Sequence, residues 1–138
     1  VTLIERLAAG DPAAPAELVA AVDRWGAQAG HDRVLPLHRY LHLPPTPAKY
    51  RQALRDAHLR RAAALLLLPA DALAWDRAGE LLREIGRFRR SRQWRRWQLR
   101  VEIPDDEGTP LQRELATVLR LGARLPKRGR LRDVLLDT

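Results

Sequence analysis

The stretch "LREIGRFRRSRQWRRWQLR", residues 82–100, holds eight arginines, two tryptophans and a single glutamate. A guanidinium stays charged at any pH a protein meets and offers phosphate a planar fork of donors. Such a density of guanidiniums is the chemistry of polyanion binding, in which each neutralised phosphate releases condensed counterions. On one continuous helix, Arg83, Arg87 and Arg90 share a face at spacings of four and three, and Arg89, Arg92 and Arg96 form a neighbouring row. Arg95 and Arg100 complete the group. Glu80 and Glu84 are spaced to pair with Arg83 and Arg87. From Arg87 to Arg100 there is no acid, so seven arginines in fourteen residues repel one another until a polyanion relieves them. The alternative is an ordinary solvated helix face in an arginine-rich chain. Trp94 and Trp97, three apart, suit stacking on bases or docking a partner, and equally suit covering the edge of a core.

Two further basic groups extend this surface if the fold brings them together. One is Lys49, Arg51, Arg55, Arg60 and Arg61; the other is Arg124, Lys127, Arg128, Arg130 and Arg132, of which Lys127, Arg128 and Arg130 are taken as candidate contacts. Two segments can be read as helix-turn-helix, "LHRYLHLPPTPAKYRQALRDAHL" and "LATVLRLGARLPKRGRLRDVLLD". Any bundle with short loops contains such pairs.

Catalytic chemistry finds little to work with. His38 and His42, four apart, fit one helix face but lack the glutamate of a zinc protease and a third ligand. Asp76, Glu80 and Glu84 form an acidic row that the interleaved arginines turn into a salt-bridged helix side. "DDEG", residues 105–108, falls short of a calcium loop. There is no glycine-rich phosphate loop and no assignable nucleophile–base pair. The expectation is a protein that is not an enzyme and uses neither metal nor cofactor.

Composition narrows the partner class. Residues 1–48 carry four arginines against five acids, residues 49–100 fourteen bases against five acids, and residues 101–138 seven of each. The net charge of +8 therefore belongs to the middle of the chain. Arginine outnumbers lysine 23 to 2, which a GC-rich genome explains; genome bias does not explain the clustering. With no cysteine there are no disulfides and no thiolate metal sites. The longest apolar run, "AAALLLLPA", is far short of a membrane span, so a cytoplasmic protein with no membrane partner is expected.

The elements that position these residues read almost entirely as helix, because alanine, leucine, arginine and glutamate dominate and β-branched residues are few. Thr2 and Gly10 bracket a short first helix; Asp11 or a neighbour caps a second, with Leu18, Val22 and Trp25 at helical spacing. "HDRVLPLHRYLHL" predicts a short third. Thr46 and Pro47 start a helix through the Ala62–Leu68 run that Pro69 stops, apolar nearly all round at its end and so expected to be central. Asp71 is expected to cap a long helix with the stripe Ala74, Ala78, Leu81, Leu82, Ile85 and Phe88. Ser91 either caps a separate short helix or lies inside a longer one. "VEIPDDEG" is a loop, with at most a short extended stretch at residues 101–103. Thr109, Pro110 and Gln112 form a capping box for a helix that Gly122 ends, and "RLRDVLLD" closes the chain. The expected architecture is all-α, a compact bundle of about six helices in a single domain, residues 1–138.

A small, basic, all-helical chain centred on "RFRRSRQWRRW" resembles, in outline, the small subunits of CRISPR interference complexes. In several such systems the small subunit arises from an internal translation start in the large-subunit gene. That suits Val1 in a chain without methionine, as do an alternative start codon and cleavage. The resemblance implies a role in antiviral defence, lining the belly of the complex and holding nucleic-acid backbones through Arg87, Arg89, Arg90, Arg92, Arg95 and Arg96. The leading expectation is a non-catalytic nucleic-acid-binding subunit of a ribonucleoprotein. It would contact RNA or DNA backbones without reading sequence, beside other protein subunits and further copies of itself. The alternatives are a helix-turn-helix regulator from a mobile element and a protein-interaction subunit without nucleic-acid affinity.

Overall fold

The computed structural model describes residues 3–27, 36–43 and 46–137. Among them are eight helices and no strand: α1 (Leu3–Ala8), α2 (Ala14–Gly26), α3 (Leu37–Tyr40), α4 (Pro47–Ala64), α5 (Ala74–Arg89), α6 (Arg92–Trp97), α7 (Pro110–Arg120) and α8 (Arg128–Leu136). The fold is all-α, as the composition implies. The chain divides into two compact units, Val1–Leu54 and Arg55–Thr138, and the division falls inside α4, where composition marks no boundary.

In the first unit, α1 stops where Gly10 takes φ +75°, a conformation costly for any residue with a Cβ. The expected cap Asp11 bonds just ahead of the helix and does not cap it. Its Oδ1 accepts from the Ala13 N–H at 2.9 Å, and its Oδ2 accepts from Arg6 Nε at 2.8 Å. Helix α2 then begins at Ala14 with no side-chain cap of its own. Arg6 also donates to both oxygens of Glu17, tying α1 to α2. Ile4, Ala14 and Leu41 are buried. The expected cap Thr2, the first half of the expected third helix and Pro44–Pro45 lie outside the described residues. Thr46 caps α4 as expected, accepting from the Lys49 N–H at 3.2 Å.

The second unit packs around α5, not around α4. Helix α5 lies directly against α6, α7 and α8, while α4 contributes Leu59, Ala62 and Ala63 to the shared core. The α5 stripe buries Ala78, Leu81, Ile85 and Phe88, joined from other helices by Trp97, Leu115, Val118, Leu131 and Val134. Leu59, Leu81, Leu115 and Leu131 are almost wholly buried, each contributing about 1.5–3 kcal/mol.

Two helix boundaries differ from expectation, both beside Pro69. Helix α4 ends at Ala64, not Leu68: the N–H groups of Leu65 and Leu66 bond three residues back, at 3.0 and 3.2 Å, in a tightened last turn, and Leu68, before Pro69, is disfavoured in the α region. Leu67 is consequently fully exposed. Asp71 does not cap α5. The Pro69–Ala72 turn closes on itself, Ala72 N–H to Pro69 O at 3.0 Å, and the helix starts at Ala74 behind an uncapped Leu73. Arg77 reaches back to hold this turn through the carbonyls of Pro69, Ala70 and Ala72. The capping box of α7 is as the sequence reads, Gln112 N–H to Thr109 Oγ1 at 3.2 Å and Thr109 N–H to Gln112 Oε1 at 3.0 Å, and Gly122 takes φ +66° just past the helix.

Candidate nucleic-acid interface

The arginine-rich stretch is bent, not straight. Helix α5 ends at Arg89, and Ser91 stands between two helix ends and serves both. Its hydroxyl donates to the Phe88 carbonyl at 2.6 Å and accepts from the Trp94 N–H at 3.2 Å. With φ −76° and ψ 155°, Ser91 breaks the helix and starts α6 as its cap. The rows drawn across residues 83–96 on one continuous helix are therefore corrected. Arg83 and Arg87 stay on the solvent side of α5, Arg89 and Arg90 form the corner, and Arg92, Arg95 and Arg96 share a face of α6.

The opposite face of α6 anchors the corner. Trp97 is completely buried and Trp94 half-buried, with their rings 6.0 Å and 5.9 Å from Phe88 in tilted arrangements. Trp97 presents no ring face to a base or to a partner helix; it is core. Its Nε1–H donates to Glu107 Oε2 at 3.0 Å. Gly108, at φ +76°, lets the following loop lie on the Trp97 ring: a Cβ there would fall 2.8 Å from Cζ2 and nearer still to Cη2.

Glu107 changes the charge pattern that the sequence suggests. It lies 3.4 Å from both Arg96 and Arg100, so the supposed acid-free run receives a carboxylate from eleven and seven residues away. The Trp97 hydrogen bond, then the charges of Arg100 and Arg96, hold the Glu107 carboxyl below the usual carboxylate range against the opposing effect of desolvation. Arg83 pairs with Glu80 at 2.7 Å and Arg87 with Glu84 at 2.5 Å, as their spacing implies. What remains is Arg89, Arg90, Arg92 and Arg95: four exposed guanidiniums within seven residues. Among the described residues none of the four forms an ion pair or a side-chain hydrogen bond.

Of the other basic groups, Arg128 on α8 and Arg55, Arg60 and Arg61 on α4 are engaged elsewhere in the second unit. Arg128 lies across α5 at Gly79, where a Cβ would meet its Cζ at 2.6 Å. Its Nε donates to the Trp75 carbonyl at 3.0 Å, and its guanidinium sits 4.3 Å from the Trp75 ring centre. Gly79 is ten residues before Arg89, about 15 Å along the helix, so the start of α8 is far from the corner. Lys127 and Arg130 are exposed there and unpaired among the described residues. On α4, Arg55 is buried, donating to Asp56 Oδ1 at 2.6 and 2.8 Å and to the Arg124 carbonyl at 2.5 Å. Arg60 donates to the Val134 carbonyl at 2.9 Å. Arg61 lies 2.7 Å from His58 Nδ1, which is also 2.7 Å from Glu114 Oε2. Sequence reading missed this His58–Glu114–Arg61 cluster because its partners are fifty-six residues apart.

The helix-turn-helix reading of the C-terminal segment meets a geometric obstacle. Residues 121–127 separate α7 from α8, a longer connection than the three- or four-residue turn of a DNA-reading pair. In the other segment, α3 is a single turn. His42 is exposed, the His38 side chain lies outside the described residues, and no three described His, Asp or Glu side chains are placed to hold a metal. No described helix is long and apolar enough to cross a membrane. Comparison with protein-family models, with curated proteins and with solved structures finds no match to this chain.

Proposed function

We propose that this chain is a non-catalytic nucleic-acid-binding subunit of a ribonucleoprotein, holding phosphate backbones at the corner between α5 and α6 without reading sequence. One observation carries the reading: Arg89, Arg90, Arg92 and Arg95 are exposed, adjacent and unpaired among the described residues, while most arginines elsewhere in the second unit have carboxylate or carbonyl partners. Folding accounts for the paired arginines. It does not account for these four, whose mutual repulsion a phosphate chain relieves. Backbone binding needs no groove-reading helix, in keeping with the long α7–α8 connection.

The resemblance to CRISPR small subunits supplies the setting proposed for it, a cytoplasmic effector complex in which protein neighbours cover the exposed Leu67, Leu99 and Val101. The test is binding of labelled mixed-sequence oligonucleotides, single-stranded and duplex, across a salt series. The wild-type chain is expected to bind both, with log affinity falling linearly in log salt. The variant Arg89→Gln/Arg90→Gln/Arg92→Gln/Arg95→Gln is expected to lose roughly three to four units of that slope. An unchanged slope in a folded variant removes the corner as the site, and strong dependence on duplex sequence favours the regulator instead.

A further inference from the structure

We infer that Glu107 competes with phosphate for Arg96 and Arg100, so that a nucleic acid gains these two guanidiniums only by drawing them away from its carboxylate; the inference rests on the phosphate-binding reading above. Arg96 shares the α6 face of Arg92 and Arg95, one turn from Arg92, so it is continuous with the unpaired group. A phosphate chain along that face meets Arg96 next, and Glu107 is already beside it.

Two features make Glu107 a standing competitor from which the guanidiniums can be drawn away. First, its position does not depend on the arginines. Trp97 holds Oε2 at 3.0 Å, and Arg113 fixes the loop through the carbonyls of Pro104 and Glu107, at 2.5 and 3.2 Å. Gly108 packs on the Trp97 ring and the α7 capping box begins at once. Second, its hold on the arginines is loose. Both distances are 3.4 Å, against about 2.7–2.9 Å for a well-made charge-assisted bond. Arg96 and Arg100 keep 60% and 44% of their side-chain surface in solvent. Exposed pairs of this kind contribute little to stability and exchange readily. The carboxylate is thus a negative charge held at the margin of the site, and it lowers affinity for any phosphate backbone that approaches Arg96 and Arg100.

The experiment uses the full chain and the same labelled oligonucleotides. Glu107→Gln keeps an acceptor for the Trp97 indole and removes the charge. It is expected to bind roughly three- to tenfold more tightly at about 50 mM salt, with a salt slope steeper by about one to two units. A second, independent comparison leaves Glu107 in place: Arg96→Gln/Arg100→Gln should weaken binding less than Arg92→Gln/Arg95→Gln, and should weaken it more in the Glu107→Gln background. Unchanged affinity and slope in a folded Glu107→Gln chain overturns the inference. So does an Arg96/Arg100 pair as costly as the Arg92/Arg95 pair, which also decides the matter if Glu107→Gln does not fold. If wild type binds neither oligonucleotide at any salt, the phosphate-binding reading fails and this inference with it.

Discussion

Two arginine clusters look alike in sequence and differ in the fold. On α4, Arg51 is exposed and unpaired among the described residues, but Arg55, Arg60 and Arg61 find partners: Asp56, the Arg124 carbonyl, the Val134 carbonyl and the His58–Glu114 pair. At the α5–α6 corner, Arg89, Arg90, Arg92 and Arg95 find none among the described residues. The difference lies in what each cluster faces. Helix α4 faces the carbonyls of Arg124, in the loop after α7, and of Val134, in the last turn of α8, where carbonyls lack intrahelical acceptor duty and take a guanidinium. Helix α6 is short and turns its basic face away from its tryptophans, and the neighbouring loop supplies one carboxylate to its far end. A basic run therefore measures what a helix could bind; the neighbouring backbone decides whether that capacity is used inside the fold.

The largest effect that separates the clusters is on stability. Arg55→Ala removes a buried guanidinium and leaves the Arg124 carbonyl and the Asp56 carboxylate without it, and is expected to cost roughly 3 kcal/mol in urea unfolding. The four-fold Arg→Gln variant of the corner should stay within about 1 kcal/mol of wild type in the same assay. A corner variant as damaging as Arg55→Ala would erase the distinction.

Gly108→Ala comes next, at about 2–3 kcal/mol, because the new Cβ meets a wholly buried ring at a positive φ. It tests whether the corner is anchored by its tryptophan side even though its arginine side is free. A smaller effect should divide the third basic group. Arg128→Ala is expected to cost about 1 kcal/mol by losing the Trp75 ring and carbonyl, while Lys127→Ala and Arg130→Ala cost nothing measurable.

The smallest effect is in acid. The folded-state pKa of Glu107 is depressed below its ordinary value of 4.5, so its contribution is complete above about pH 4.5 and disappears as pH falls through the folded value. Glu107→Gln should flatten the acid limb of the unfolding midpoint below about pH 4.5. Asp11 and Glu17, lowered by hydrogen bonds from Arg6, keep their own acid dependence in the first unit and serve as the internal control.

The helices, most of their starts and stops, and the core stripe of α5 were legible because they depend on residues three or four apart. The Thr46 cap, the Thr109–Gln112 box, the Gly10 and Gly122 stops and the row from Ala78 to Phe88 are all interactions of that range. The two misplaced boundaries surround Pro69, where a turn held by Arg77 overrides the local cap signal. The candidate site was legible only as a run of charge. By itself the sequence determined an all-helical chain with its positive charge concentrated between residues 49 and 100. Beyond the pairs of Arg83 and Arg87, which spacing implied, the tertiary structure decided which cations are free. The acceptors that engage Arg55, Arg60 and Arg128 lie sixty-nine, seventy-four and fifty-three residues away, and spacing within one helix carries no information about carbonyls that folding brings from another.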